Sequence, residues 1–161
     1  MPINPKLVSL RPITAATVRH VTNLSVSEFQ TQFVASNAVS LAQALFSADA
    51  WYQAIYLGEE LVGFVMLEDE SLRLSPLKNP KIGVWRFMID AQFQGLGIGS
   101  VALVQVIEHA RRKGLFKTLQ LSYVPGPGCP ERFYLGLGFY HTGKVDGDEI
   151  VLEFALGDDE A

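Results

Sequence analysis

Short apolar runs rich in β-branched and aromatic residues alternate with stretches whose apolar positions recur at helical spacing. Residues 7–10 read as a first strand. Thr14 is placed to cap a helix from Ala15, with Val18 and Val21 on its inner face. Phe29, Phe33 and Val34 mark a second helical segment, and residues 41–45 a third. Residues 51–57 and 61–67 are apolar, and Gly58-Glu59-Glu60 between them predicts a hairpin. Residues 69–81 are polar, hold two prolines and are predicted to be a loop. Residues 82–89 read as a buried strand. From Ser100, the positions Val101, Leu103, Val104, Val106 and Ile107 give a wide apolar helical face. Arg111, Arg112 and Lys113 suit the negative end of that helix, and Gly114 supplies its stop. Residues 118–123 form another strand, 124–130 a proline- and glycine-rich loop, and 131–137 a short helix ended by Gly138. Residues 139–145 and 149–154 close as a hairpin around Asp146-Gly147-Asp148. The order predicts an α/β fold with a mixed sheet and a central parallel crossover. The acidic end, residues 157–161, is expected to be disordered.

Composition narrows the classes. At 161 residues the chain is most simply one domain with an ordinary core. Thirteen basic residues stand against 17 acidic ones, so no basic footprint for nucleic acid exists. Cys129 is the lone cysteine, which excludes an internal disulfide and suits a reducing cytoplasm. No apolar run reaches the roughly 20 residues that span a membrane, and residues 1–6 lack a signal-peptide core. A cytoplasmic protein without membrane attachment is the expectation.

The chemistry concentrates in Gln94-Gly95-Leu96-Gly97-Ile98-Gly99-Ser100, between the strand at 82–89 and the long helix. Glycines there let backbone N–H groups approach an anion, and the helix N-terminus adds positive potential. A tight turn that merely needs glycine is the plain alternative. A P-loop would carry Gly-Lys-Ser/Thr, and a dinucleotide fingerprint would be G-x-G-x-x-G; neither is present. What fits is Gln/Arg-x-x-Gly-x-Gly/Ala, through Gln94, Gly97 and Gly99. The chain thereby resembles the GCN5-related N-acetyltransferase superfamily, whose motif binds the pyrophosphate of acetyl-CoA. The predicted element order from residue 51 to 154 matches that family as well.

The resemblance implies a strand that splays from its parallel neighbour and takes the pantetheine arm against the backbone of Phe87, Met88 and Ile89. It also implies a phenol near the coenzyme sulfur. Tyr134, in Phe133-Tyr134-Leu135-Gly136-Leu137-Gly138-Phe139, matches the family's Tyr-x-x-x-Gly-Phe signature and is the candidate general acid. Packing at a helix start is its ordinary alternative. Pro127 and Pro130 stand where many members carry Asn-x-x-Ala. The run from Ser122 to Glu131 instead resembles a bacterial subgroup often labelled spermine/spermidine acetyltransferase. Animal polyamine acetyltransferases carry carboxylates where this chain has Trp85 and Arg86, so that base is absent here. Glu68, Asp69 and Glu70 could attract a cationic amine or relay its proton, unless they are simply a solvated loop. His20, His109 and His141 are scattered, and Cys129 has no histidine partner by position.

The resemblance therefore implies acetyl transfer from acetyl-CoA to a primary amine of a small molecule, a polyamine among them, without a metal. A homodimer is common in the family. Another small amine, amino acid or aminoglycoside remains open. So do a non-catalytic coenzyme A sensor and a nucleotide-phosphate binder.

Overall fold

The structure, a computed structural model, describes residues 3–75 and 77–157. The expected disorder at the acidic end lies, beyond Gly157, outside the described residues. Seven strands form one mixed sheet: β1 (Val8–Arg11), β2 (Ala50–Leu57), β3 (Glu60–Asp69), β4 (Ile82–Ile89), β5 (Thr118–Tyr123), β6 (Tyr140–Asp146) and β7 (Glu149–Ala155). Their order is β1-β2-β3-β4-β5-β7-β6, and every pairing is antiparallel except β4 with β5. Helix α3 (Ile98–Lys113) makes the parallel crossover, as the alternating pattern predicted.

Successive strand side chains point to opposite faces, and both faces of β3 are covered. Val65 and Leu67 join the core under α3, with Leu103, Val106 and Leu119. Phe64 and Met66 join a second core with Val21 and Met88. Two covered faces explain why residues 61–67 read as a continuous apolar run.

Between β1 and β2 the structure differs from expectation. Helix α1 is only Val18–Asn23, because Thr14 and Thr17 bond each other and hold residues 14–17 as a turn. Val21 is buried as expected, but Val18 faces solvent. The segment marked by Phe29, Phe33 and Val34 is a single 3-10 turn, Glu28–Gln32, capped by Ser27 and Gln30. Helix α2 runs Asn37–Ala44, earlier than residues 41–45, because the Ser36 hydroxyl accepts from Val39 N and starts it there. Apolar spacing could not locate these ends, since hydroxyl caps set them.

Asp69 was expected in a loop but is the last residue of β3 and is fully buried. Its carboxylate accepts from the Ser71 backbone N–H and hydroxyl and from Lys113 Nζ at the end of α3. Asp49 and Arg73 form a second clasp, with Nε–Oδ1 at 2.8 Å and Nη2–Oδ2 at 2.9 Å. This pair holds the Asp49 carboxyl below its ordinary range. A depressed carboxyl adds stability above its unfolded pKa and loses it as pH falls through the folded value. Asp49→Asn is accordingly expected to flatten the acid limb of the stability profile below about pH 4, the ordinary aspartate range, read by urea unfolding across pH.

Candidate active site

The parallel pair is short. Ile82, Gly83 and Val84 pair with Leu119, Gln120 and Leu121, and the pairing then stops. The cause is visible one strand away. Between Met66 and Leu67 the β3–β4 register shifts, so Trp85 is an extra residue on β4. Such a bulge bends a strand. From Trp85 to Ile89, β4 therefore leaves β5, with unpaired backbone along one edge. The splay expected from the family resemblance is present.

A cleft of about 1000 Å3 opens along this edge. At its far end β4 runs through a 3-10 turn, Ala91–Phe93, into the glycine turn and α3. Gly95 and Gly97 take φ of 78° and 88°, which side chains rarely adopt, and a Cβ at either would meet nothing within 4 Å. The turn thus needs glycine and faces open space. Gly97 caps α3 without a side chain to offer. The N–H groups of Ile98, Gly99 and Ser100 consequently lack the usual partner at a helix start. Gly99 differs from the other two. Its φ is helical, and a Cβ there would rest at ordinary distance on Phe133, 3.5 Å, and Ile89, 3.6 Å.

Phe87, Met88, Ile89, Gln94, Gly95, Gly97, Ile98, Gly99 and Ser100, all expected to contact coenzyme, line this one cleft. Leu96 lies in the turn with its side chain exposed. The Gln94 side chain is committed within the protein: its Nε2 donates to Ile89 O and to Gln30 Oε1, both at 2.9 Å.

Tyr134, on α4 (Glu131–Leu137), lines the same cleft but is largely buried. Its ring packs between Phe133 and Phe139, with centroids 5.4 and 5.8 Å away. Burial pushes the phenol up to about 12, so it is protonated at any ordinary pH.

The three carboxylates separate. Glu68 lines the cleft, and burial first, then the charges of Asp49, Glu70 and Asp146, raise its carboxyl above the ordinary range. Asp69 and Glu70 do not line it. Asp69 is held by Lys113 and Ser71, and Glu70 binds Arg73 and the Lys81 N–H. Side-chain alternation turns adjacent residues of a strand to opposite faces, which a reading of three successive acids could not resolve. Asp146 and Glu149, from the last hairpin, line the cleft beside Glu68. Sequence reasoning missed them, because a turn signal does not say what the turn folds against.

Arg86 lines the cleft half-buried. It donates to Trp85 O and Gln43 Oε1, its Nε has no partner among the described residues, and burial lowers its pKa. His109 stacks on Trp51 at 4.2 Å and His141 meets Glu131 at 3.0 Å. Neither they nor His20 line the cleft, and Cys129 does not either. Among the described residues no cluster could hold a metal, and no helix is long and apolar enough to cross a membrane.

Several comparisons bear on this geometry. The spermine/spermidine N(1)-acetyltransferase of Bacillus subtilis (strain 168) is 26% identical over 148 residues, covering 91% of this chain and 97% of that protein. The fold is similar to the GNAT domain of S. lividans PAT, with TM-score 0.70 at 17% identity over 92% of this chain and 90% of that one. It is also similar to PaiA N-acetyltransferase from Thermoplasma acidophilum, solved with coenzyme A, with TM-score 0.64 at 15% identity over 92% and 98% of the chains. The acetyltransferase (GNAT) family pattern matches residues 19–139, from α1 through the glycine turn to the end of α4. The chain belongs to the acetyltransferase (GNAT) family of N-acetyltransferases.

Proposed function

We propose that this protein binds acetyl-CoA along the β4–β5 gap and passes the acetyl group directly to the primary amine of a small molecule. The observation that supports it most is one cleft in which the unpaired edge of β4, the uncapped start of α3 and the Tyr134 ring meet. The pyrophosphate would lie against the amides of residues 95–100, and the pantetheine arm beside Phe87, Met88 and Ile89.

In this mechanism the amine nitrogen attacks the thioester carbon, the C–S bond breaks, and the nitrogen sheds a proton. Tyr134 faces the departing sulfur. Its pKa near 12 decides how it acts. A thiol has a pKa of about 8.5, so full proton transfer from the buried phenol would run uphill by several units. Tyr134 therefore stabilises the thiolate mainly as a hydrogen-bond donor. Glu68, the raised carboxyl in the cleft, is the group placed to receive or relay the amine proton.

The first amines to try are polyamines. The relative in Bacillus subtilis carries that name, and Glu68, Asp146 and Glu149 line the cleft. In a thiol-release assay, spermidine or spermine should outperform neutral and acidic amines, with the preference fading as salt screens the carboxylates. Glu68→Gln should raise the apparent Michaelis constant about 2- to 5-fold, the worth of an exposed ion pair, and should also lower turnover and remove the limb of the pH–rate profile that this carboxyl sets. Arg86 favours a second reading, an amine that also bears a carboxylate. If amino acids turn over and polyamines are inert, the polyamine assignment fails and acetyl transfer stands. No turnover with any amine would leave a coenzyme-binding module.

Coenzyme binding has its own test. Acetyl-CoA at a hundredfold excess over its dissociation constant should stabilise the protein by about 2.7 kcal/mol. Gly97→Val should remove most of that shift, because a β-branched residue cannot hold a φ of 88° and would fill the space over the turn. Equal shifts with ATP or NAD, surviving the substitution, would sink the coenzyme assignment.

A further inference from the structure

Val26 and residues 30–35 line the cleft, and the segment 26–35 that carries them forms its roof, between the coenzyme turn and the proline-glycine loop. The first half of this roof is fastened to two neighbouring segments. At the turn, Gln94 Nε2 donates to Gln30 Oε1 at 2.9 Å. Ser25 N donates to Asp90 Oδ1 at 2.9 Å, and Ala91 N donates to Ser25 O at 2.9 Å. Next to Gln30, the Phe29 ring lies against Gly128 and fills the place a Cβ there would take.

The two glutamines have only one consistent orientation. Gln94 must present its NH2 to the Ile89 carbonyl, and Gln30 must present its oxygen to Ser27 N, 3.3 Å away. Each outer bond fixes the amide that makes the Gln30–Gln94 contact. One chain of hydrogen bonds thus runs from the end of β4, through Gln94 and Gln30, to the cap of the roof. The Gln94 amide nitrogen spends both its hydrogens inside the protein, so it is a strut and not a phosphate donor. Phe33 and Val34, further along the roof, line the cleft as do Glu68, Trp85 and Arg86, the side open to the amine.

We infer that Gln30 is a positioning residue that joins the roof over the amine side of the cleft to the coenzyme turn, so that coenzyme binding and ordering of the roof are thermodynamically coupled. The inference rests on the coenzyme site proposed above. The two events must then favour each other equally, whichever amine is used.

Amide hydrogen exchange with coenzyme A as the probe tests this. In the unaltered protein, coenzyme A should slow exchange both at residues 98–101 and at 26–35. Gln30→Met keeps the length of the side chain but removes its acceptor. It should abolish the slowing at 26–35, keep it at 98–101, and weaken coenzyme A binding about 2- to 10-fold, the worth of one hydrogen bond. Gln30→Glu retains an acceptor for both Ser27 N and Gln94 Nε2 and should restore the slowing. Gln94→Met should act like Gln30→Met, and the double variant should lose little more than either alone. Unchanged exchange at 26–35 in the unaltered protein overturns the coupling, as does full slowing in Gln30→Met. Absence of slowing at both segments overturns the coenzyme site itself and the coupling with it.

Discussion

Tyr134→Phe is expected to lower turnover about 100-fold while acetyl-CoA affinity changes less than about twofold. The substitution keeps the ring between Phe133 and Phe139 and removes only the hydroxyl. General acid catalysis is typically worth about 10²–10⁴-fold. The lower end applies here because burial holds the phenol near 12. A group that far above a thiol contributes a hydrogen bond to the forming thiolate more than a proton. A charge-assisted bond of that kind is worth about 1.5–3 kcal/mol, or roughly 10- to 150-fold. The affinity should survive, since the bond strengthens only as charge develops on sulfur. Single-turnover kinetics with preloaded acetyl-CoA isolate the step. A loss near 10⁴-fold would mean full proton donation, and an unchanged chemical step would return Tyr134 to a packing role.

The largest stability effect is expected from Lys113→Met, about 3 kcal/mol by urea unfolding. Asp69 is fully buried, and Lys113 provides its only cationic partner among the described residues. Removing the ammonium leaves a carboxylate in the protein interior with only the Ser71 N–H and hydroxyl bound to it. Breaking such a pair on one side typically costs about 3–5 kcal/mol. The lower figure is used because Lys113 keeps a quarter of its side-chain exposure, so water can take up part of the charge. The partner change decides the mechanism. Asp69→Asn with Lys113→Met should recover most of the loss, because the amide oxygen still accepts from Ser71 and no charge remains. A double variant as unstable as Lys113→Met alone would point to lost packing of the lysine stem instead.

Legibility in the sequence tracked the range of the forces involved. The glycine turn was readable because its requirement is local: positive φ at Gly95 and Gly97 and an uncapped helix start are properties of a few adjacent residues. The stop of α3 at Gly114 and the final hairpin were readable for the same reason. The helical segments between β1 and β2 were not. Their boundaries come from Ser27, Ser36 and the Thr14–Thr17 pair, single hydroxyls that periodicity does not weigh.

The candidate site divides along the same line. Gln94, Gly97, Gly99 and Tyr134 stood out because their spacing within short segments carries the family resemblance. Glu68 could not be separated from Asp69 and Glu70 without knowing that β3 continues through Asp69, which turns neighbouring acids to opposite faces. Asp146, Glu149 and the Gln30–Gln94 contact join residues remote in sequence, and no local pattern encodes such a meeting. The sequence by itself determined β1, the elements from β2 onward, the mixed sheet with its parallel crossover, and the glycine turn, because backbone sterics and hydrophobic periodicity act over a few residues. Only the tertiary structure decided where β4 leaves β5, which acid faces the cleft and what roofs it. Those outcomes depend on one bulge at Trp85 and on side chains that folding alone brings into contact.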